Sequence, residues 1–286
     1  MAYRILDGKK VSQKVKDALK VKVAALNKKG IYPGLAVIIV GNDSASRVYV
    51  NNKKKACEYI GIRSEEYALP EQTSQKELLE LIDKLNKKSD IHGILCQLPL
   101  PKHIDEETVL NAINPIKDVD AFHPVNVGKI MIGNFDFLPC TPAGVMELIA
   151  ESGIDLTGKH CVVVGRSNIV GKPQAMLLLH KNATVTICHS KTKDLKSVCM
   201  TADVLVVAVG RAKMINGEYI KDGAVVIDVG MDRDENGKLC GDVDFESACE
   251  KASYITPVPG GVGPMTIATL MKNAVTAAEK QNSDNV

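Results

Sequence analysis

Residues 9–29 place apolar side chains at Val11, Val15, Ala18, Leu19, Ala25 and Leu26, with the aliphatic stem of Lys22 on the same stripe. That spacing is helical, and Gly30 followed by Pro33 supplies a stop signal. Residues 35–40 are then apolar without interruption and close on Gly41, which predicts a buried strand. The pattern continues as a helix over 44–60, a strand over 64–69, a helix over 74–88 and a strand over 91–96. Strands and helices alternating in this way imply a parallel sheet covered by helices. Ligands in such sheets bind beyond the carboxyl ends of the strands, here near Gly41 and Gln97.

Between residues 98 and 142 the periodicity fades, and Pro99, Pro101, Pro115 and Pro124 fall there before Pro139. A connection so long is expected to be functional or interdomain. Thr141 as N-cap and Pro142 at the first helical position predict a helix beyond it. A second series follows, with strands over 161–164, 184–188, 204–209 and 224–229 and a helix over 171–180. Residues 254–258 run into a glycine-proline cluster, and 265–280 form a last helix expected to pack back on the first domain. The predicted class is α/β: two α/β domains with mainly parallel sheets, the second Rossmann-like, and a cleft between them. The expected boundaries are 1–140 for the first domain, 141–264 for the second, and 265–286 for the returning segment.

Composition narrows the function. A length of 286 residues suits two domains at about 100–200 residues each. Lys+Arg of 36 against Asp+Glu of 34 leaves a net charge of +2, which argues against a general polyanion binder. An apolar content of 45% argues against a disordered chain. With no Trp and 4% aromatics, neither a membrane interface nor a base-stacking surface is favoured. The eight cysteines contain no C-x-x-C and no paired Cys/His spacing, so free buried thiols in a reducing compartment are expected, and no metal. Arg4, Asp7, Lys9 and Lys10 leave no room for the apolar core of a secretory signal, and no run reaches 18 apolar residues. A cytoplasmic location is the expectation.

Two stretches carry candidate chemistry. Gly165-Arg166-Ser167-Asn168-Ile169-Val170-Gly171-Lys172-Pro173 follows a strand and opens a helix, where backbone N–H groups bind phosphate. It is no Walker A loop, because five residues separate its glycines and Pro173 replaces the magnesium-binding hydroxyl. It also departs from the G-x-G-x-x-G dinucleotide fingerprint, so on its own it fits a cofactor cradle and an ordinary turn equally. The next strand ends in Cys188-His189-Ser190-Lys191, without the acid that holds a ribose in NAD sites. Arg166 and Ser190, with Lys191 or Lys193 nearby, suit a 2′-phosphate instead, which favours NADP; the two lysines equally suit a solvated surface.

In the first domain Ser46, Tyr49, Lys53 and Cys57 share one helix face. A lysine beside other cations and partly desolvated can carry a proton near neutrality, and a tyrosine can stack on a flat ring. Tyr-x-x-x-Lys is weakly specific, and Lys53-Lys54-Lys55 alone is more often a solvated face. Gln97 can hydrogen-bond the lysine amine, and Asp120 can accept two N–H bonds from an amidine edge such as a pterin's; each also suits a turn or cap. His123, beside Pro124 in a loop, reads as structural. The stretch 257–264 holds three glycines, allowing a close backbone approach to a ligand.

These pieces combine into a family pattern. Val40-Gly41, Ala45-Ser46, Tyr49-Val50, Lys53 and Lys55-Ala56-Cys57 are followed by Gly93-Ile94-Leu95-Cys96-Gln97-Leu98-Pro99-Leu100-Pro101. Lys117-Asp118-Val119-Asp120, Pro139-Cys140-Thr141-Pro142, the Gly165 loop and the 257–264 cluster come next, in order. The chain thereby resembles the bifunctional methylenetetrahydrofolate dehydrogenase/methenyltetrahydrofolate cyclohydrolase family over nearly its whole length. Ala121, where many members have Gly, and Cys96, where many have Val, are small departures. The resemblance implies NADP-linked oxidation of methylenetetrahydrofolate and then hydrolysis to 10-formyltetrahydrofolate. It implies catalytic roles for Lys53, Tyr49, Gln97 and Asp120, and folate contacts from these four with Leu98, Leu100, Pro259, Gly260 and Gly263. It implies cofactor contacts from Gly165, Arg166, Ser167, Ile169, Ser190 and Met231, and a homodimer formed through the cofactor domain. No nucleic-acid or membrane partner is expected. A monofunctional dehydrogenase and a non-catalytic dinucleotide-binding sensor are the alternative readings.

Overall fold

The computed structural model describes residues 3–282. Residues 1–2 of the expected first domain and 283–286 of the returning segment lie outside the described residues. The chain divides into two compact units, one of residues 14–138 with 267–286 and one of residues 1–13 with 139–266. Each is discontinuous in sequence.

The first unit is built on three parallel strands, with Gly34–Val40 between Arg63–Leu69 and Gly93–Cys96. The central strand is buried at every residue, as its unbroken apolar run requires. Arg63–Leu69 lies at the sheet edge and mixes exposed with half-buried positions. The helix Gln75–Lys87 adds Leu78, Ile82 and Leu85 to a core with Ile38 and Ile94. Each such side chain contributes about 1.5–3 kcal/mol by leaving water. A capping box starts that helix: Ser74 and Glu77 satisfy each other's backbone N–H.

The stretch 98–142, which reads as irregular, holds two short helices, Glu106–Ala112 and Pro124–Ile132. Asp105 caps the first and His123 the second, its Nδ1 accepting from the Val125 N–H at 3.1 Å. From Ile267 onward the long helix Val262–Gln281 belongs to this unit. Asn273 Nδ2 donates to the carbonyls of Val119 and Leu138, both at 2.8 Å, and Gln281 donates to that of His92 at 2.7 Å.

The second unit carries six parallel strands in the order Arg4–Ile5, Tyr254–Ile255, Val225–Asp228, Val204–Val207, His160–Val164, Thr184–Cys188. From His160–Val164 the chain first moves outward, then crosses back to Val204–Val207 on the other side. That reversal is the topological switch point of a Rossmann-like sheet, where ligands bind beyond the strand ends. Val162, Val164, Leu205, Val207, Val226 and Ile255 fill its core.

Three features differ from expectation. Arg4–Ile5 is a strand although both residues are exposed, because it pairs with Tyr254–Ile255 far along the chain. The helix Cys140–Glu151 begins one residue before the proposed cap; Pro139 occupies the N-cap and no side chain caps it. Thr141 instead lies in the first turn, its Oγ1 3.0 Å from Thr266 Oγ1. A small antiparallel hairpin, Asp232–Arg233 with Leu239–Cys240, interrupts the alternation. All eight cysteines are free and buried.

Candidate active site

The helix Ser44–Ile60 starts at Asp43, whose carboxylate accepts from the Ser46 N–H at 2.7 Å, and ends at Gly61 in a left-handed conformation. These caps fix a helix that presents Tyr49 and Lys53 one turn apart. Lys53 is buried, only 8% exposed, while Lys54 and Lys55 are exposed. Its Nζ donates to Gln97 Oε1 at 2.8 Å. Gln97 is itself oriented twice: its backbone N–H donates to Ile38 O at 2.9 Å and its Nε2 to Leu98 O at 2.6 Å. The amide oxygen is thereby left to face the lysine. Tyr49 is half-buried, and burial raises its hydroxyl pKa above the ordinary value. Burial also pushes the Cys57 thiol up to about 12, so the cysteine on this face is an inert core group whose Sγ donates to Met271 Sδ at 3.4 Å.

Beyond Gln97 the chain passes the cis Leu98–Pro99 bond; Leu98 is half-buried and Leu100 buried. The Leu100 N–H donates to Glu106 Oε1 at 3.1 Å. Asp118 bridges to Ile94 at the edge of the sheet, and its buried carboxylate accepts from the His123 N–H at 2.8 Å and Asn126 Nδ2 at 2.9 Å. This anchored turn presents Asp120, half-buried and close enough to Cys96 that its charge helps raise the thiol pKa to about 12. Tyr49, Lys53, Gln97 and Asp120 therefore belong to one unit, with Gln97 and Asp120 at the carboxyl end of Gly93–Cys96. Ala121 adopts φ +58°, a backbone region that favours glycine.

In the six-stranded unit Gly165 ends His160–Val164 with φ +134°. A Cβ there would lie 2.2 Å from Ala208 O, and one at Gly171 2.2 Å from Gly165 O. Both glycines are required by close backbone approach at the switch point. Ser167 Oγ accepts from the N–H groups of Val170 and Gly171 at 3.2 and 3.3 Å, closing the loop onto its helix. Arg166, Ser167 and Ile169 are exposed. Gly165 N–H donates to Cys188 O, so Arg166 and Ser190 follow neighbouring strand ends. Ser190 is exposed within a turn in which the Thr192 N–H donates to His189 O at 2.8 Å.

The cluster 257–264 is held from the amino-terminal side. Lys9 N–H donates to Gly260 O at 3.2 Å, and a Cβ at Gly8 would lie 1.7 Å from Gly261 O. Pro259 follows a cis bond and is exposed, and Gly260 has φ +110°. Met231, also exposed, reaches Gly263: a Cβ at that glycine would lie 3.2 Å from Met231 Cε. The sequence reading passed over Gly8 and two buried acids, Asp228 and Asp242. An acid closing the apolar run Ala-Val-Val-Ile-Asp, and the later Gly-Asp-Val-Asp, were the available signals.

Comparison with known proteins gives a consistent match. The model of the tetrahydrofolate dehydrogenase/cyclohydrolase catalytic domain matches residues 6–120, and that of the family's NAD(P)-binding domain matches residues 139–282. A relative from Acetivibrio thermocellus, described as bifunctional protein FolD, is 70% identical over 98% of this chain and 99% of its own. A crystal structure of the bifunctional FolD methylenetetrahydrofolate dehydrogenase/cyclohydrolase from Campylobacter jejuni superposes with TM-score 0.95 at 52% identity, covering 98% of this chain and 99% of that one. The Trypanosoma brucei enzyme, complexed with NADP cofactor and an inhibitor, superposes with TM-score 0.94 at 41% identity over 98% of both chains.

Proposed function

The chain belongs to the tetrahydrofolate dehydrogenase/cyclohydrolase family, and from that premise we propose how its own side chains divide the work. The protein oxidises 5,10-methylenetetrahydrofolate to 5,10-methenyltetrahydrofolate with NADP, then hydrolyses the product to 10-formyltetrahydrofolate. The buried Lys53, its Nζ held at 2.8 Å by Gln97, is the observation that carries the assignment of roles.

When water adds to the methenyl carbon it must lose a proton. Lys53 Nζ receives it, and Gln97 Oε1 keeps the amine aimed at that position. Asp120 accepts N–H bonds from the amidine edge of the pterin, and Tyr49 supports the ring with its face. Leu98 and Leu100 supply apolar contact, while Pro259, Gly260 and Gly263 border the folate through their backbone. Oxidation makes a different demand, because positioning dominates when the cofactor carries the chemistry.

NADP supplies the hydride acceptor when bound. The residues present fit it: the glycine seats at 165 and 171 let the backbone approach a pyrophosphate, and Arg166 and Ser190 hold the 2′-phosphate. Gly165, Ser167, Ile169 and Met231 complete the contacts. The bifunctional reading is favoured over a monofunctional dehydrogenase by the Lys53–Gln97 pair, which hydride transfer alone does not need.

Finer points belong to the same proposal. The protein acts as a homodimer, a reading supported by the edge strand Thr184–Cys188 with its exposed Ile187. It works in a reducing, cytoplasmic setting, supported by eight free buried thiols. Among the described residues no helix is long and apolar enough to cross a membrane. Lys53→Ala is expected to lower methenyltetrahydrofolate hydrolysis by about 10²–10⁴-fold while NADP binding stays at the parent value. A variant that hydrolyses at the parent rate refutes the assignment of Lys53.

A further inference from the structure

Two buried acids hold the loops beyond two neighbouring strands of the six-stranded sheet. Val204–Val207 and Val225–Asp228 are paired, with Val207 opposite Asp228. Asp242 reaches the loop after the first strand: its Oδ2 accepts from the Val209 N–H at 2.7 Å and its Oδ1 from the Arg211 N–H at 2.6 Å. Asp228 serves the loop after the second, accepting from Gly230 N–H at 2.9 Å, and it also accepts from Asp242 and Val243 N–H at 3.0 and 2.9 Å. The two acids are thus linked through the backbone of Asp242.

Glycines make room for both carboxyl groups. A Cβ at Gly241 would lie 1.9 Å from Asp228 Oδ2, and one at Gly230 would lie 2.6 Å from Asp242 Cγ. Any larger residue at these positions would displace a carboxyl group and release the N–H groups it holds. Gly230 precedes Met231, which packs beside Gly263. One acid-and-glycine unit therefore sets both loops at the strand ends.

A third acid, Asp232, lies beside Asp242; burial and the neighbouring Asp242 carboxylate raise its pKa above the ordinary value. Across the hairpin, Cys240 pairs with Asp232, and Asp228, Asp234 and Lys213 are the charged groups around it.

We propose that Asp242 is the positioning residue for the cofactor-facing loop at 209–211, linked through its own N–H to Asp228, which holds the loop at 229–231. The inference rests on the NADP reading above, and it adds a specific determinant of dinucleotide affinity remote from the phosphates. Asp242 touches neither substrate nor cofactor in this account. Its effect travels through the backbone N–H groups it holds.

The test uses the full chain and separate assays of the two reactions. Asp242→Asn loses an acceptor, because an amide nitrogen then faces one of the two N–H donors. Its expected signature is a rise of at least about 10-fold in the KM for NADP, with hydrolysis of preformed methenyltetrahydrofolate within about twofold of the parent. Parallel loss of both activities, or an unchanged KM in a folded variant, overturns the proposal. Gly230→Ala provides a second arm if Asp242→Asn does not fold, because a Cβ at Gly230 would lie 2.6 Å from Asp242 Cγ and displace its carboxyl group. It is expected to raise the NADP KM with hydrolysis retained, and a folded Gly230→Ala variant with the parent KM overturns the proposal. Direct titration separates the two ideas: a parent that fails to bind NADP refutes the cofactor reading, whereas variants that bind like a binding parent refute only the role of Asp242.

Discussion

The three-stranded and six-stranded units put their chemistry in different parts of the chain. In the first, function is assigned to side chains: an amine, an amide and a carboxylate, each aimed by its own hydrogen bonds or anchored turn. In the second, the candidate cofactor surface is mostly backbone, shaped by glycines at 165, 171, 230 and 241 that neighbouring atoms leave no room to enlarge. Side-chain chemistry tolerates small backbone shifts but not a changed functional group. Backbone recognition has the opposite weakness, since an added methyl damages it although no reactive group is lost.

Substitutions can break this contrast, beginning with the most damaging. Gly171→Val drives a side chain into Gly165 O, and is expected to abolish measurable NADP binding while hydrolysis of preformed substrate persists. Isothermal titration with NADP, alongside the hydrolysis assay, distinguishes this from global unfolding. Gln97→Leu removes the amide oxygen to which Lys53 Nζ donates at 2.8 Å, and hydrolysis is expected to fall by about 10²-fold with NADP affinity unchanged. If NADP affinity falls with it, the separation of roles between the units fails. Arg166→Ala removes a charge-assisted contact worth about 1.5–3 kcal/mol, so the KM for NADP should rise about 10–100-fold and that for NAD far less. Equal changes for the two cofactors would remove the 2′-phosphate role.

Two further measurements sharpen the contrast through stability. Burial outweighs three N–H donors at Asp228 and, with Asp242 beside it, raises its pKa from 3.8 to about 7. Between those values the folded chain holds a proton that the unfolded chain has released. This contribution to stability is therefore full below 3.8 and declines as pH rises towards about 7. Thermal melts across that range should show this loss as a difference between the parent and Asp228→Asn, and a difference that does not change with pH would contradict the assignment. The smallest effect is expected in the other unit, where Ser74→Ala removes one half of a capping box for about 1 kcal/mol, with both activities retained.

The same contrast explains what the sequence made legible. The strand Gly34–Val40 announces itself because all its side chains are apolar, and Lys53 and Gln97 are visible as reactive groups beside such strands. Glu106–Ala112 and Pro124–Ile132 are too short to build a periodic signal, so they vanish among prolines. Arg4–Ile5 has no burial pattern at all and exists only through pairing 250 residues away. The cap at Thr141 fails because the helix starts one residue earlier, at a proline-led turn that no side chain closes. Asp242 is the hardest to foresee: its role is defined by N–H groups some thirty residues upstream, and no local pattern encodes that.

The pairing of Arg4–Ile5 with Tyr254–Ile255 has a consequence for how the molecule is made. The strand Arg4–Ile5 leaves the ribosome long before its partner Tyr254–Ile255, yet it occupies the outermost place of the sheet. Until residue 255 is translated, that strand has no ladder to join, and the Gly8 contact that seats the glycine-proline cluster cannot form. The three-stranded unit waits in the same way, since residues 14–138 need the segment from 267 onward. Pairing over such a separation is intrinsically slow, because loop-closure entropy must be met before the contact forms. Closure of this edge of the sheet therefore waits until residue 255 has been made, and a chain stopped before it carries Arg4–Ile5 as an unpaired strand.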